Sequence, residues 1–268
     1  MSVGGNRMKL FKDLYNYREL LKSNVKKEIR GKYKGSFLGI LWSFVSPLLM
    51  TLVYAIVFPF LMRGSQYDSY TTFLIIGILP WTWFTTSIAQ GTYCVIGNGG
   101  ILKKVYFPRE ILPISVVTSG MINYLIQCLI IVLFVIVCHR PITINLLFLP
   151  LVMLAQYLLT LGIVFITSSL NVYIRDLEYI VNFFIQLLFY GTPILYELKM
   201  FESAPKWIYT LMKMNPMATI IASYKDIFYW GHLPHIWSLL AVIGASLILC
   251  WIGLIIFRKL SKGFAEEL

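Results

Sequence analysis

Apolar residues along this chain fall into long runs separated by short polar breaks rich in proline, glycine and basic residues, a pattern that predicts helices crossing a lipid bilayer. Six such runs are read, over residues 37–61, 71–96, 111–137, 145–172, 179–196 and 236–257. A helix rising 1.5 Å per residue needs about 20 apolar residues to cover about 30 Å of hydrocarbon, and at least four of the runs exceed that. Residues 1–36 ahead of them are polar and basic. Within that stretch Leu10, Leu14, Tyr17 and Leu21 recur at helical spacing on one face, while Lys12, Asp13, Glu19 and Lys22 lie largely elsewhere, which predicts an amphipathic interface helix. Residues 197–235 break the pattern, being interrupted by Pro205, Pro216 and Pro234 and rich in interfacial aromatics such as Trp207, Tyr209, Tyr224 and Trp230. Short re-entrant helices before the last span are expected there, because irregular backbone at membrane depth needs protein or water to satisfy it.

The expected fold is therefore all-α and integral to the membrane. A cytoplasmic segment (1–36) precedes a six-helix transmembrane domain (37–257), and a cytoplasmic tail follows (258–268). Composition agrees: 58% of residues are hydrophobic and 13% charged, against about 25% charged in soluble domains. The net charge of +11 raises the question of nucleic acid, but its placement removes that reading. With the N-terminus inside, ten Lys and Arg precede the first span, three surround Lys103, Arg175 stands alone and three follow the last span, 17 of the 23 in the chain. This bias obeys the positive-inside rule and predicts both termini in the cytoplasm, with a basic face toward anionic lipid or a cytosolic partner. Residues 1–36 lack the short basic start of a signal peptide, so insertion through the first span, uncleaved, is expected.

Catalytic signatures are not evident. The sequence holds no G-x-x-x-x-G-K-[ST] nucleotide loop, no H-E-x-x-H zinc helix and no Asp-x-Asp pair, so no cofactor is assigned to this chain and any ATP must be bound by another. Cys94, Cys128, Cys138 and Cys250 are scattered through apolar stretches as small hydrophobes, and His232 with His235 lacks a third metal ligand. Residues 101–113 are more informative. Lys103, Lys104, Tyr106, Phe107, Arg109 and Glu110 lie between two long spans, in a segment that Pro108 and Pro113 divide into pieces too short to cross lipid. Sealing the end of a span competes with docking as their role; the two prolines and the paired charges favour docking. Arg175 and Asp176 end the fourth span on the same side, where a local cap or ion pair is the simpler account. Tyr54, Phe58, Trp81, Trp83, Phe84, Phe183, Phe184 and Tyr190 lie in or near spans, and an aromatic lining would suit the apolar faces of sugar rings. Gly35 with Gly39, and Gly120 with Ser115 and Ser119, have the small-residue spacing of close helix contacts, weak support for a dimer.

Several stretches together carry a family resemblance: Arg30-Gly-Lys-Tyr-Lys-Gly-Ser-Phe-Leu-Gly-Ile-Leu-Trp42 with Pro47, residues 103–113, Tyr173-Ile-Arg-Asp-Leu177, Thr192-Pro-Ile-Leu-Tyr196 and Asn215-Pro216. The chain resembles the membrane-spanning permease subunits of ABC exporters that move lipid-linked cell-envelope polymers, such as O-antigen, wall teichoic acid and capsule. That resemblance implies a homodimer in the bacterial cytoplasmic membrane, joined by two copies of a separate ATP-binding subunit that holds ATP and Mg. It implies that Leu10, Leu14, Tyr17 and Leu21 form the interface helix, and that Lys103, Lys104, Tyr106, Phe107, Arg109 and Glu110, with Arg175 and Asp176 nearby, couple to the ATPase. The substrate would be a glycopolymer on a polyprenyl diphosphate, its anionic head drawn to Arg30, Lys32, Tyr33 and Lys34. An exporter of drugs or small lipids shares the same general fold and stays open. A polyprenyl-phosphate glycosyltransferase is a further alternative; Glu197, Glu202 and Asp226 are the candidate outer acids, and they form no known motif.

Overall fold

A computed structural model describes residues 15–31, 35, 37, 39–61, 69–105, 107–201 and 205–268. The principal helices among them are α1 (Arg18–Gly31), α2 (Trp42–Leu61), α3 (Tyr70–Gly97), α4 (Ile111–Val137), α5 (Leu149–Asn171), α6 (Leu177–Tyr190), α7 (Lys206–Met214), α8 (Pro216–Lys225) and α9 (Ile236–Leu260). Among the described residues, four helical stretches are long and apolar enough to cross a membrane: Tyr70–Gly97, Ile111–Val137, Ile144–Asn171 and Ile236–Glu267. The α2 helix adds 20 residues, and not all of its side chains are among those described.

Helix α1 overlaps the expected interface helix only from Arg18 to Leu21 and runs on to Gly31, with Val25 buried and Tyr17, just ahead of it, and Leu20 packed against the core. Leu10 and Leu14 lie outside the described residues. Gly35 and Gly39 take positive φ angles of 83° and 51°, a left-handed conformation that glycine adopts without steric cost, so this pair shapes the entry to α2.

The most buried helix is α3, wrapped by α2, α4, α5 and α8. Trp83 stacks on Tyr124 at 5.2 Å between ring centroids, and Tyr124 meets Tyr224 edge-on at 5.5 Å, joining α3, α4 and α8. Gly120 faces Ser87 and Trp83 of α3, and Ser115 and Ser119 are buried, so this small-residue set packs within the subunit. Polar bonds tie α3 to α5: Gln156 Nε2 donates to the Pro80 carbonyl at 2.7 Å and Asn171 Nδ2 to the Thr92 carbonyl at 3.2 Å. A third tie joins the Thr92 and Thr167 hydroxyls at 2.9 Å. The α5 and α9 backbones meet directly, for a Cβ on Gly253 would lie 2.6 Å from the Gly162 carbonyl oxygen.

The fifth apolar run departs from expectation. Its helix stops at Tyr190 instead of continuing to residue 196, and its 14 residues rise only about 21 Å. Pro193 lacks an N–H and disfavours helical geometry at Thr192, while the Thr192 hydroxyl donates to the Leu188 carbonyl at 2.6 Å and closes the last turn. None of the α6 residues is fully buried.

Candidate functional site

The breaks 98–110 and 172–176, helix α1 and the C-terminal residues gather at one end of the bundle. The Asn98 side chain donates to the Cys94 carbonyl and accepts from Lys27 of α1, both at 2.8 Å. A short helix, Gly99–Leu102, follows, and Leu102 and Phe107 are buried as its anchors. Between those anchors Lys103, Lys104 and Val105 are exposed. An open cavity of about 230 Å³ lies here, lined by Leu102, Lys103, Lys104, Val105, Phe107 and Arg109. Its cationic rim fits an acidic protein surface or another anion.

Not every charge expected to face a partner does so. Glu110 turns inward and accepts from Arg258 Nε of α9 at 2.8 Å, while the Arg109 guanidinium lies 5.7 Å from the centre of the Phe264 ring. Tyr106 lies outside the described residues. Arg175 and Asp176 are exposed, and Asp176 precedes α6 without a side-chain capping bond, so the simpler account of a cap does not describe it. Tyr173 places that loop beside the tail, its hydroxyl donating to the Leu260 carbonyl at 2.8 Å. On α1, Glu19 accepts from Lys22 at 2.9 Å, which holds its carboxyl below the usual range. Arg30 is exposed near the end of the same helix, whereas Lys32, Tyr33 and Lys34 lie outside the described residues.

The aromatic set divides. Trp81, Trp83 and Phe84 are buried within the subunit at 6%, 2% and 2% exposure, and Trp81 meets Phe84 and Phe189. Phe183, Phe184 and Tyr190 of α6 are exposed at 59%, 61% and 75%. The side chains of Tyr54 and Phe58 are outside the described set.

The opposite end holds a polar construction that periodicity did not reveal. Asn215 caps α8 by accepting from Met217 N at 2.9 Å, with Pro216 at the first helical position. Its amide also donates to the Thr192 hydroxyl at 2.8 Å. Lys225, at the end of α8, is only 4% exposed and donates to the carbonyls of Pro193, Ile194 and Tyr196. The signal available in the sequence was a lone lysine closing a mostly apolar helix. Arg140 reaches the Tyr229 hydroxyl at 3.0 Å, and Thr143 and Asn145 both donate to the Gly231 carbonyl. His235 Nδ1 accepts from Ser238 N and caps α9. Burial pushes the Asp226 carboxyl up to about 6, opposed chiefly by His232. Among the described residues no three His, Cys, Asp or Glu side chains are placed to hold a metal ion.

The sequence pattern of the family described as "ABC-2 type transporter" matches residues 19–229. The chain is 37% identical over 264 residues to the O-antigen export system permease protein RfbA of Myxococcus xanthus, covering 97% of this chain and 100% of that relative. It is 38% identical over 252 residues to the protein of the same name from Klebsiella pneumoniae, covering 93% and 95%. Similarity to the polysialic acid transport protein KpsM of Escherichia coli is 22% over 239 residues, covering 87% and 90%.

Proposed function

The chain belongs to the ABC-2 type transporter family, and we propose that it is the membrane subunit of an ATP-driven exporter of an O-antigen-like polysaccharide. The observation that carries this reading is similarity to O-antigen export permeases along nearly the whole chain, joined to a basic docking end whose sequence lacks a nucleotide loop. In this proposal α2 and α6 complete six crossings with α3, α4, α5 and α9, both termini face the cytoplasm, and the α7–α8 pair re-enters the outer half of the bacterial cytoplasmic membrane. Two copies pair as a homodimer and receive two copies of an ATP-binding subunit, which supplies the ATP and Mg site. Lys103 and Lys104, exposed beside the cavity, meet acidic residues of that partner.

The substrate in this reading is a glycopolymer on a polyprenyl diphosphate. Its head is attracted by Arg30, Lys32 and Lys34, where charge-assisted contacts with phosphate are favourable, and Tyr33 lies among them. Its sugars pass along the exposed aromatics of α6. ATP-driven closure moves the membrane subunits only insofar as the two ATPase states prefer different membrane conformations. Copurification of the chain from its host tests the reading, with mass spectrometry of the retained partner and of the retained glycan. An ATP-binding subunit together with a polyprenyl-linked polysaccharide is the expected result. A partner of another class, or robust ATPase stimulation by a small amphiphile but not by the lipid-linked polymer, would overturn it.

A further inference from the structure

Glu110 lies in the docking segment but is committed to the subunit itself, with 13% of its side chain exposed and Arg258 Nε at 2.8 Å. Beyond Arg258 the chain turns through Ser261–Gly263 into the short helix Phe264–Glu267, which folds back over this end of the bundle. Phe264 is fully buried, its ring 5.6 Å from that of Phe257 and 6.3 Å from that of Tyr173, with the Arg109 guanidinium above it. Leu268 reaches Gly99 at the start of the docking segment. Residues 257–268 thus contact both ends of segment 99–110 and the 172–176 loop. The helix they extend, α9, is in backbone contact with α5 at Gly162 and Gly253, and α5 is hydrogen-bonded to α3.

We infer that Arg258 and Phe264 are positioning residues that clamp the docking segment to the α3, α5 and α9 core, so that a push on segment 103–110 moves those helices as one body. A loop attached only at its two chain ends could shift without moving the helices behind it. A charge-assisted hydrogen bond on one side and a buried aromatic plug on the other make displacement of the loop costly unless the core follows. The inference rests on the proposed function for the identity of the partner that pushes; the clamp is a property of this chain.

The test uses the full chain coexpressed with the ATP-binding subunit of its host, reading copurification, ATPase rate and polymer exported per ATP hydrolysed. Arg258→Gln is expected to retain the partner yet to export about tenfold less polymer per ATP, the factor that loss of one charge-assisted hydrogen bond carries. The exchanged pair, Glu110→Arg with Arg258→Glu, is expected to recover most of that loss. Undiminished export per ATP from Arg258→Gln would overturn the clamp, as would an exchanged pair that unfolds at the wild-type temperature and recovers nothing. Should the exchanged pair fail to fold, Phe264→Leu is expected to keep export where Phe264→Ala loses it; equal behaviour of those two variants overturns the clamp. A wild-type chain that retains no ATP-binding subunit would overturn the proposed function instead.

Discussion

Lys225 Nζ donates to the Pro193 carbonyl oxygen at 2.7 Å, across 32 residues of chain. The same nitrogen reaches the Ile194 carbonyl at 3.0 Å and the Tyr196 carbonyl at 3.3 Å, and it lies 3.6 Å from the centre of the Phe73 ring. Three carbonyls of an irregular, largely buried turn, which has no helix or strand to satisfy it, therefore share this one side-chain donor group. Gly77 makes room, since a Cβ there would fall 2.9 Å from the Ile194 oxygen.

Lys225→Met keeps the length of the stem and removes every donor. The variant is expected to be less stable by about 3 kcal/mol, because buried carbonyls are left unpaired. Thermal unfolding of the detergent-solubilised chain measures this; an unchanged midpoint would show that the turn finds other donors.

Asp226 gives a pH prediction. Its carboxyl is raised from 3.8 to about 6 by burial, so the folded chain holds that proton more tightly than the unfolded chain does. Stability therefore falls as pH rises through that window and stays lower above it. Asp226→Asn should flatten this slope and raise the unfolding temperature at pH 7, as seen in melts at a series of pH values. Glu197, Lys199, His232 and His235 influence Asp226 electrostatically and are retained in the variant.

Charge reversal at Lys103 and Lys104 tests docking with little risk to the fold, since both side chains are exposed. The double Glu variant should retain the ATP-binding subunit at least about tenfold less well, because like charges brought together at an interface cost several kcal/mol. Undiminished copurification would remove these lysines from the interface.

Gly253 and Gly244 lie on the same helix and should respond oppositely to alanine. At Gly253 the new methyl meets the Gly162 carbonyl oxygen and Phe165, so α5 and α9 must separate and stability should fall by about 1–3 kcal/mol. At Gly244 nothing lies within 4 Å, and alanine should be neutral or stabilising by up to about 1 kcal/mol through helix propensity. Paired melts of the two variants decide it.

Much of the architecture was legible in the sequence for a plain reason: a helix in hydrocarbon needs an unbroken apolar run, so spans announce themselves one at a time. The intervals for α4 and α5 differ from the observed helices by at most a few residues. The basic segment 101–113 stood out as a break between helices because its lysines, arginine and prolines interrupt those runs. The end of α6 was misplaced because Ile194 and Leu195 continue the apolar run, and hydropathy does not weigh the Pro193 that stops the helix.

What the sequence determined by itself was an all-helical chain of membrane-spanning length with a concentration of basic charge around its breaks. These are sums over neighbouring residues. Tertiary structure alone decided that Glu110 turns to Arg258 rather than outward, that Trp83 packs on Tyr124 while Phe183 stays exposed, and that Lys225 closes a distant turn. Each of those outcomes depends on a partner far away in sequence, 148 residues away for Glu110, and periodicity along the chain carries no information about which faces of which helices will meet.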